Sequence, residues 1–189
     1  MVSSLVQKSK IQITILKMEK AFEIRSIVAK HLKANHTEET ASHDRLLSGL
    51  VFPSQNRLIL ACQIGKIWID VFQLFGWRKP DTKTPRQVSL IAPGAAVVVQ
   101  NNWKTSNFDS KQSKFKTLKD FKCNFPETEV VYGCINDFKV RDYYNRNDIH
   151  ILTSNAFLEY MLGSSNWQFV IDTLREEIRR FVLENNLAK

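Results

Sequence analysis

The stretch Ala96-Val97-Val98-Val99-Gln100-Asn101-Asn102-Trp103-Lys104-Thr105-Ser106-Asn107, running on through a lysine-rich segment to Lys122, decides how this chain is read. Its apolar opening is short, β-branched and followed at once by amides, so Ala96–Val99 reads as a buried strand. After the amides, Phe115, Leu118 and Phe121 recur at every third position, which predicts a basic helix over Ser110–Lys122. A strand therefore delivers polar side chains to its end, beside a helix carrying positive charge.

The charge is concentrated around that stretch. The 189-residue chain carries a formal +8, and between Leu74 and Lys122 ten Lys or Arg stand against three Asp, a local balance of +7. A basic segment of this kind suits a polyanion, because each phosphate neutralised releases condensed counterions, although charge alone fits a merely solvated face equally well. With 43% hydrophobic and 24% charged residues the chain has enough apolar material for one core. We read one domain, 1–189, with an N-terminal helical part (1–50), a sheet core (57–152) and C-terminal helices (153–189).

Cys62, Cys123 and Cys134 show no paired spacing, which indicates neither a zinc site nor a disulfide framework. Lys8, Lys10, Lys17 and Lys20 interrupt the N-terminal apolar residues, and no run is long enough to span a bilayer. The expectation is a cytoplasmic protein without a membrane partner.

Outward from the central strand, Leu16, Phe22, Ile24, Ile27, Val28, His31 and Leu32 predict a helix over Leu16–Lys33, with His31 a packed or surface histidine rather than a ligand. A second helix is expected in 38–50, placing Glu39 and His43 one turn apart with Asp44 adjacent; its acids either complement the helix dipole or face a metal. Arg57–Cys62 and Lys66–Phe75 read as two strands of a hairpin turning at Ile64-Gly65. On the second strand Asp70 interrupts an apolar face, and a carboxylate there needs a cation or hydrogen-bond donors. Asp70 is thus the leading functional candidate. Arg78–Pro93 reads as a basic, proline-containing loop. Glu129–Asn136 and Asp148–Leu152 read as strands. A helix through Ala156–Met161 closes at Gly163, and a last amphipathic helix buries Trp167, Val170, Ile171, Leu174, Ile178, Phe181 and Val182. The charged face of that helix, Arg175, Glu176, Glu177, Arg179 and Arg180, reads as solvated.

The region QNNWKTSNFDSKQSKFKTLKDF resembles the segment after the catalytic strand in small type II restriction endonucleases of the PD-(D/E)xK superfamily. In that group a Glu-x-Lys is followed by Asn, Thr-x-Asn, Ser and a helix; here Gln100 falls at the lysine, Asn101 at the asparagine, and Thr105 and Asn107 at the Thr-x-Asn. Ser42-His43-Asp44-Arg45-Leu46-Leu47 and Ile149–Glu159 are similar to two further motifs of the group. The resemblance implies an α/β fold with a restriction-endonuclease-like core, a central mixed sheet flanked by helices. It also implies a sequence-specific, Mg²⁺-dependent endonuclease cutting double-stranded DNA as a homodimer. The glutamate position falls on Val98, which cannot bind a metal, and Gln100 carries no charge.

Three accounts stay open. A rebuilt site would use Asp70, Gln100 and Lys104 for catalysis and Asp70, Asp44 and Glu39 for Mg²⁺. Alternatively Asp70 and Gln73 are themselves the strand pair, or the site is inactive and the protein only binds DNA. DNA contacts are expected from Arg78, Lys79, Lys83, Arg86, Asn101, Asn102, Trp103, Thr105, Asn107, Lys111 and Lys114. An RNA-directed nuclease, or a structural partner in a larger complex, is a further alternative.

Overall fold

A computed structural model describes residues 2–32, 46, 54–81, 88–100, 113–135, 143–146 and 148–186. The fold is α/β, built on a mixed sheet with helices on both faces. Two helices come first, α1 (Val2–His31) and α2 (Ser54–Leu74). The strands are β1 (Leu90–Ala92), β2 (Ala95–Gln100), β3 (Glu129–Cys134), β4 (Tyr143–Arg146) and β5 (Ile149–Thr153). Helix α3 (Ser113–Asn124) connects β2 to β3, and α4 (Ser154–Leu162) and α5 (Trp167–Glu184) complete the described chain.

The sheet order is β1-β2-β3-β5-β4, with β2, β3 and β5 parallel and the two edge strands antiparallel to their neighbours. The strand expected at Ala96–Val99 is β2, and the helix expected after it is α3, beginning at Ser113. Pro93-Gly94 turns the β1–β2 hairpin, with Gly94 at φ +75 supplying the positive backbone angle after a φ-restricted proline. The segment read as a loop over Arg78–Pro93 thus contains a strand, and Arg78 bridges Ile91 through paired backbone hydrogen bonds of 2.9 and 2.8 Å.

Alternation along the strands separates two apolar layers. Val97, Val131 and Leu152 face the larger core, where they meet α1, α2, α4 and α5. Ala96, Val98, Val130, Tyr132, Cys134, Ile149 and Ile151 face the other layer, which Leu118 and Phe121 of α3 cover. Every residue of the apolar stripe expected on α5 is buried or half-buried, from Trp167 to Val182.

The hairpin expected over Arg57–Phe75 is instead α2. Ile64, Ile67, Trp68, Val71 and Phe72 are all buried, and their i, i+3, i+4, i+7, i+8 spacing is that of one helix face. The alternation of Ile67, Ile69 and Val71 is a by-product of that pattern. The sheet accordingly begins at Leu90 rather than near residue 57, and Asp70 lies on a helix, not within a strand. Ile24 and Val28 of α1 and Leu32 just beyond it pack inward, while Leu16 and Phe22 are exposed. Glu177, expected in solvent, is buried against α1: its Oε1 accepts a 2.8 Å hydrogen bond from Arg25 Nε, and its Oε2 a 3.2 Å bond from Arg180 Nη1. Among the described residues no helix is long and apolar enough to cross a membrane.

Candidate functional site: a lysine-lined cleft around Asp70

Helix α1 ends beside the C-terminal part of α2, and the chain leaving α2 is tied to β1 by the Arg78–Ile91 bridge. Three segments thereby bring Lys30 and His31, Lys66 and Asp70, and Lys79 around one cleft of about 360 Å³. Ile69 and Gly65 supply its uncharged wall.

The Asp70 carboxylate is the electrostatic centre. Its Oδ2 accepts a hydrogen bond from Lys30 Nζ at 2.8 Å and lies 2.8 Å from His31 Nε2. An ionised carboxylate can only accept, so the Nε2 of His31 carries the proton in this pairing. Oδ1 accepts a 3.1 Å bond from Gln73 Nε2, and Lys79 Nζ stands 3.7 Å away as an ion pair. Burial by itself raises the Asp70 pKa, but the hydrogen bonds and charges of Lys30 and His31 outweigh it and hold the carboxyl at about 2. The Asp70 side chain is 13% exposed and that of His31 16%, whereas Lys30 and Lys79 reach into solvent at 66% and 64%. Lys66 is exposed on the same cleft and makes no ion pair with another described residue.

Asp70 was expected to bind Mg²⁺ together with Asp44 and Glu39. Both of those acids lie outside the described residues. Among the described residues what surrounds Asp70 is cationic: a divalent ion would have to displace Lys30 and His31 from Oδ2 and then sit among three ammonium groups. The described donors do not fit it. Among the described residues there is also no group of three or more His, Cys, Asp or Glu placed to hold a metal. Val98, at the position of the motif glutamate, is 1% exposed within the apolar layer beneath α3.

Of the other expected catalytic residues, Gln100 ends β2 in register with Cys134, and Lys104 lies outside the described residues. Of the expected DNA contacts, Lys79 joins the cleft, Arg78 is exposed at the β1 edge, and Lys114 lies in the first turn of α3. Lys83, Arg86, Asn101, Asn102, Trp103, Thr105, Asn107 and Lys111 lie outside the described residues. The sequence reading missed Lys30, Lys66 and the role of His31. The available signal was helical: on α2, Lys66, Asp70 and Gln73 follow one another at i, i+4 and i+7, a polar stripe opposite the apolar one.

A second polar cluster is structural. Tyr160 donates a 3.0 Å hydrogen bond to Glu129 Oε2, and His150 Nε2 lies 3.9 Å from Glu129 Oε1. Burial first, then the charge and hydrogen bond of Glu129, push the Tyr160 hydroxyl well above the usual phenol range, so it stays protonated and ties α4 to β3. Trp77 packs on the Tyr160 ring and donates a 2.8 Å bond to the Met161 carbonyl.

An Asp already neutralised by a lysine and a histidine, with further lysines facing the same space, is suited to holding an anion rather than a cation. No family model matches the chain and no curated protein matches it, so the cleft is interpreted from its own chemistry.

Proposed function

We propose that the chain binds double-stranded DNA as a homodimer on a restriction-endonuclease-like core, and that the cleft at Asp70 holds phosphate without a metal. The observation that carries this reading is the cation saturation of Asp70, with Lys66 and Lys79 facing the same cleft. The order strand β2, helix α3 and a parallel strand β3 supports the core assignment, since the resemblance puts a helix directly after the catalytic strand. Cys123 and Cys134 form no disulfide among the described residues, which suits a reducing, cytoplasmic setting.

The Mg²⁺-dependent endonuclease is the second reading, favoured by that same strand–helix–strand order. It would draw its acids from Glu39 and Asp44 and its cation from Lys104, with Asp70 exchanging its present partners for metal.

Fluorescence anisotropy on a palindromic duplex in EDTA tests the first reading. Binding is expected with two chains per duplex, and its affinity should fall as salt rises, because phosphate contacts release counterions. Lys66→Gln should weaken binding and reduce the logarithmic salt slope by about one. Binding that requires Mg²⁺, or that does not respond to salt, would overturn it.

A further inference from the structure

We infer that the cleft between α1 and α2 is a pocket for a phosphomonoester dianion, the terminal phosphate of a nucleic-acid strand or of a free nucleotide. The inference deepens the DNA-binding reading at its own site, and rests on that reading only for the source of the phosphate.

Charge is the first support. Among the described residues three lysines and one carboxylate line the cleft, a formal balance of +2 before His31 is counted. A terminal phosphate carries close to two negative charges near neutral pH, whereas an internal phosphodiester carries one. Each lining ammonium has hydrogen-bond donors to spare: Lys30 and Lys79 share Asp70, and Lys66 has no ion pair among the described residues. Asp70 keeps Lys30 and His31 at fixed positions, so the donors are oriented before a ligand arrives.

Shape is the second support. The space lies between helices and measures about 360 Å³, a concavity that admits a chain end. An internal diester has sugars on both sides and is presented on the convex surface of a duplex.

The third support is Gly65. Glycine in a helix interior costs about 1 kcal/mol relative to alanine. A methyl group at Gly65 would meet nothing within 4 Å, so packing against the protein does not account for its absence. Gly65 lines the cleft, and its lack of a side chain leaves the space beside Lys66 and Asp70 open.

The test compares duplexes with phosphorylated and with hydroxyl ends, in EDTA, by competition against the labelled palindrome. Phosphorylated ends are expected to bind about tenfold more tightly, the worth of one added set of charge-assisted hydrogen bonds. Lys66→Gln should erase that difference, and so should Gly65→Leu, whose added side chain starts from open space on the cleft wall. Both variants alter surface positions, and a circular-dichroism melt verifies that they fold. Equal affinity for the two kinds of end, with duplex binding intact, overturns the pocket while leaving DNA binding standing. A nucleoside monophosphate as competitor separates the sources: if it cancels the end preference at micromolar concentration the pocket takes free nucleotides, and if the preference survives it the pocket takes strand ends. If no duplex binds but the monophosphate does so in a Lys66-dependent way, the DNA reading fails and the pocket stands.

Discussion

At the scale of single residues, Asp70 governs the site through what already surrounds it. Sequence inspection singles it out, because an acid flanked by Ile69, Val71 and Phe72 demands partners. It cannot show that the partners are cations, since Lys30 and His31 lie some forty positions away in the chain and approach only when α1 packs on α2. The pairing has a consequence for stability. The folded-state pKa of about 2 lies below the value of 3.8 for an unperturbed Asp, so this group stabilises the fold above pH 3.8 and the contribution fades as pH falls toward 2. Lys30 and His31 favour its charged form through hydrogen bonds and charge, and Lys79 stands 3.7 Å from its Oδ1. Asp70→Asn is therefore expected to destabilise the protein by about 1–2 kcal/mol at pH 7, less than the full shift implies because Lys30 is largely solvated. Urea unfolding at pH 7 and again near pH 2 checks this, the gap between the two proteins closing at the lower pH.

At the scale of elements, α2 shows why some of the fold was legible and some was not. The run from Ile64 to Phe72 contains both a two-residue alternation and a helical stripe, and Gly65 adds a turn signal that favours the hairpin. Burial of Ile64, Ile67, Trp68, Val71 and Phe72 on one side overrides that local signal. Gly65→Ala distinguishes the two structures: in a helix with open space at the position it should raise stability by about 0.5–1 kcal/mol, visible as a higher melting temperature, whereas a hairpin turn there would lose stability. Strand β2, helix α3, strands β3 and β5, and helices α4 and α5 were legible because each carries one unambiguous period between recognisable stops. Strand β1 was not, because three residues give no period and a basic segment precedes them. The sheet also contains a close approach that composition cannot reveal. The ring of Phe157 lies directly over Gly133 of β3, in the space a side chain would occupy. Gly133→Ala should cost about 1–3 kcal/mol through overpacking, measurable as a lower denaturant midpoint.

At the scale of the whole molecule, a mixed sheet with helices on both faces carries the cleft on the face opposite α3, built from α1, α2 and the segment that follows α2. Where the resemblance puts a motif glutamate, β2 carries Val98, packed beneath α3 as an apolar core residue, and Asp70 is held by Lys30 and His31 of α1. On the proposed reading, a site of this composition favours phosphate over a divalent metal. The most direct measurement is plasmid cleavage in Mg²⁺ by the purified wild type and by Asp70→Ala, run beside binding in EDTA. The account predicts binding without metal and no cutting that depends on Asp70; Mg²⁺-dependent cleavage that disappears in Asp70→Ala would contradict it.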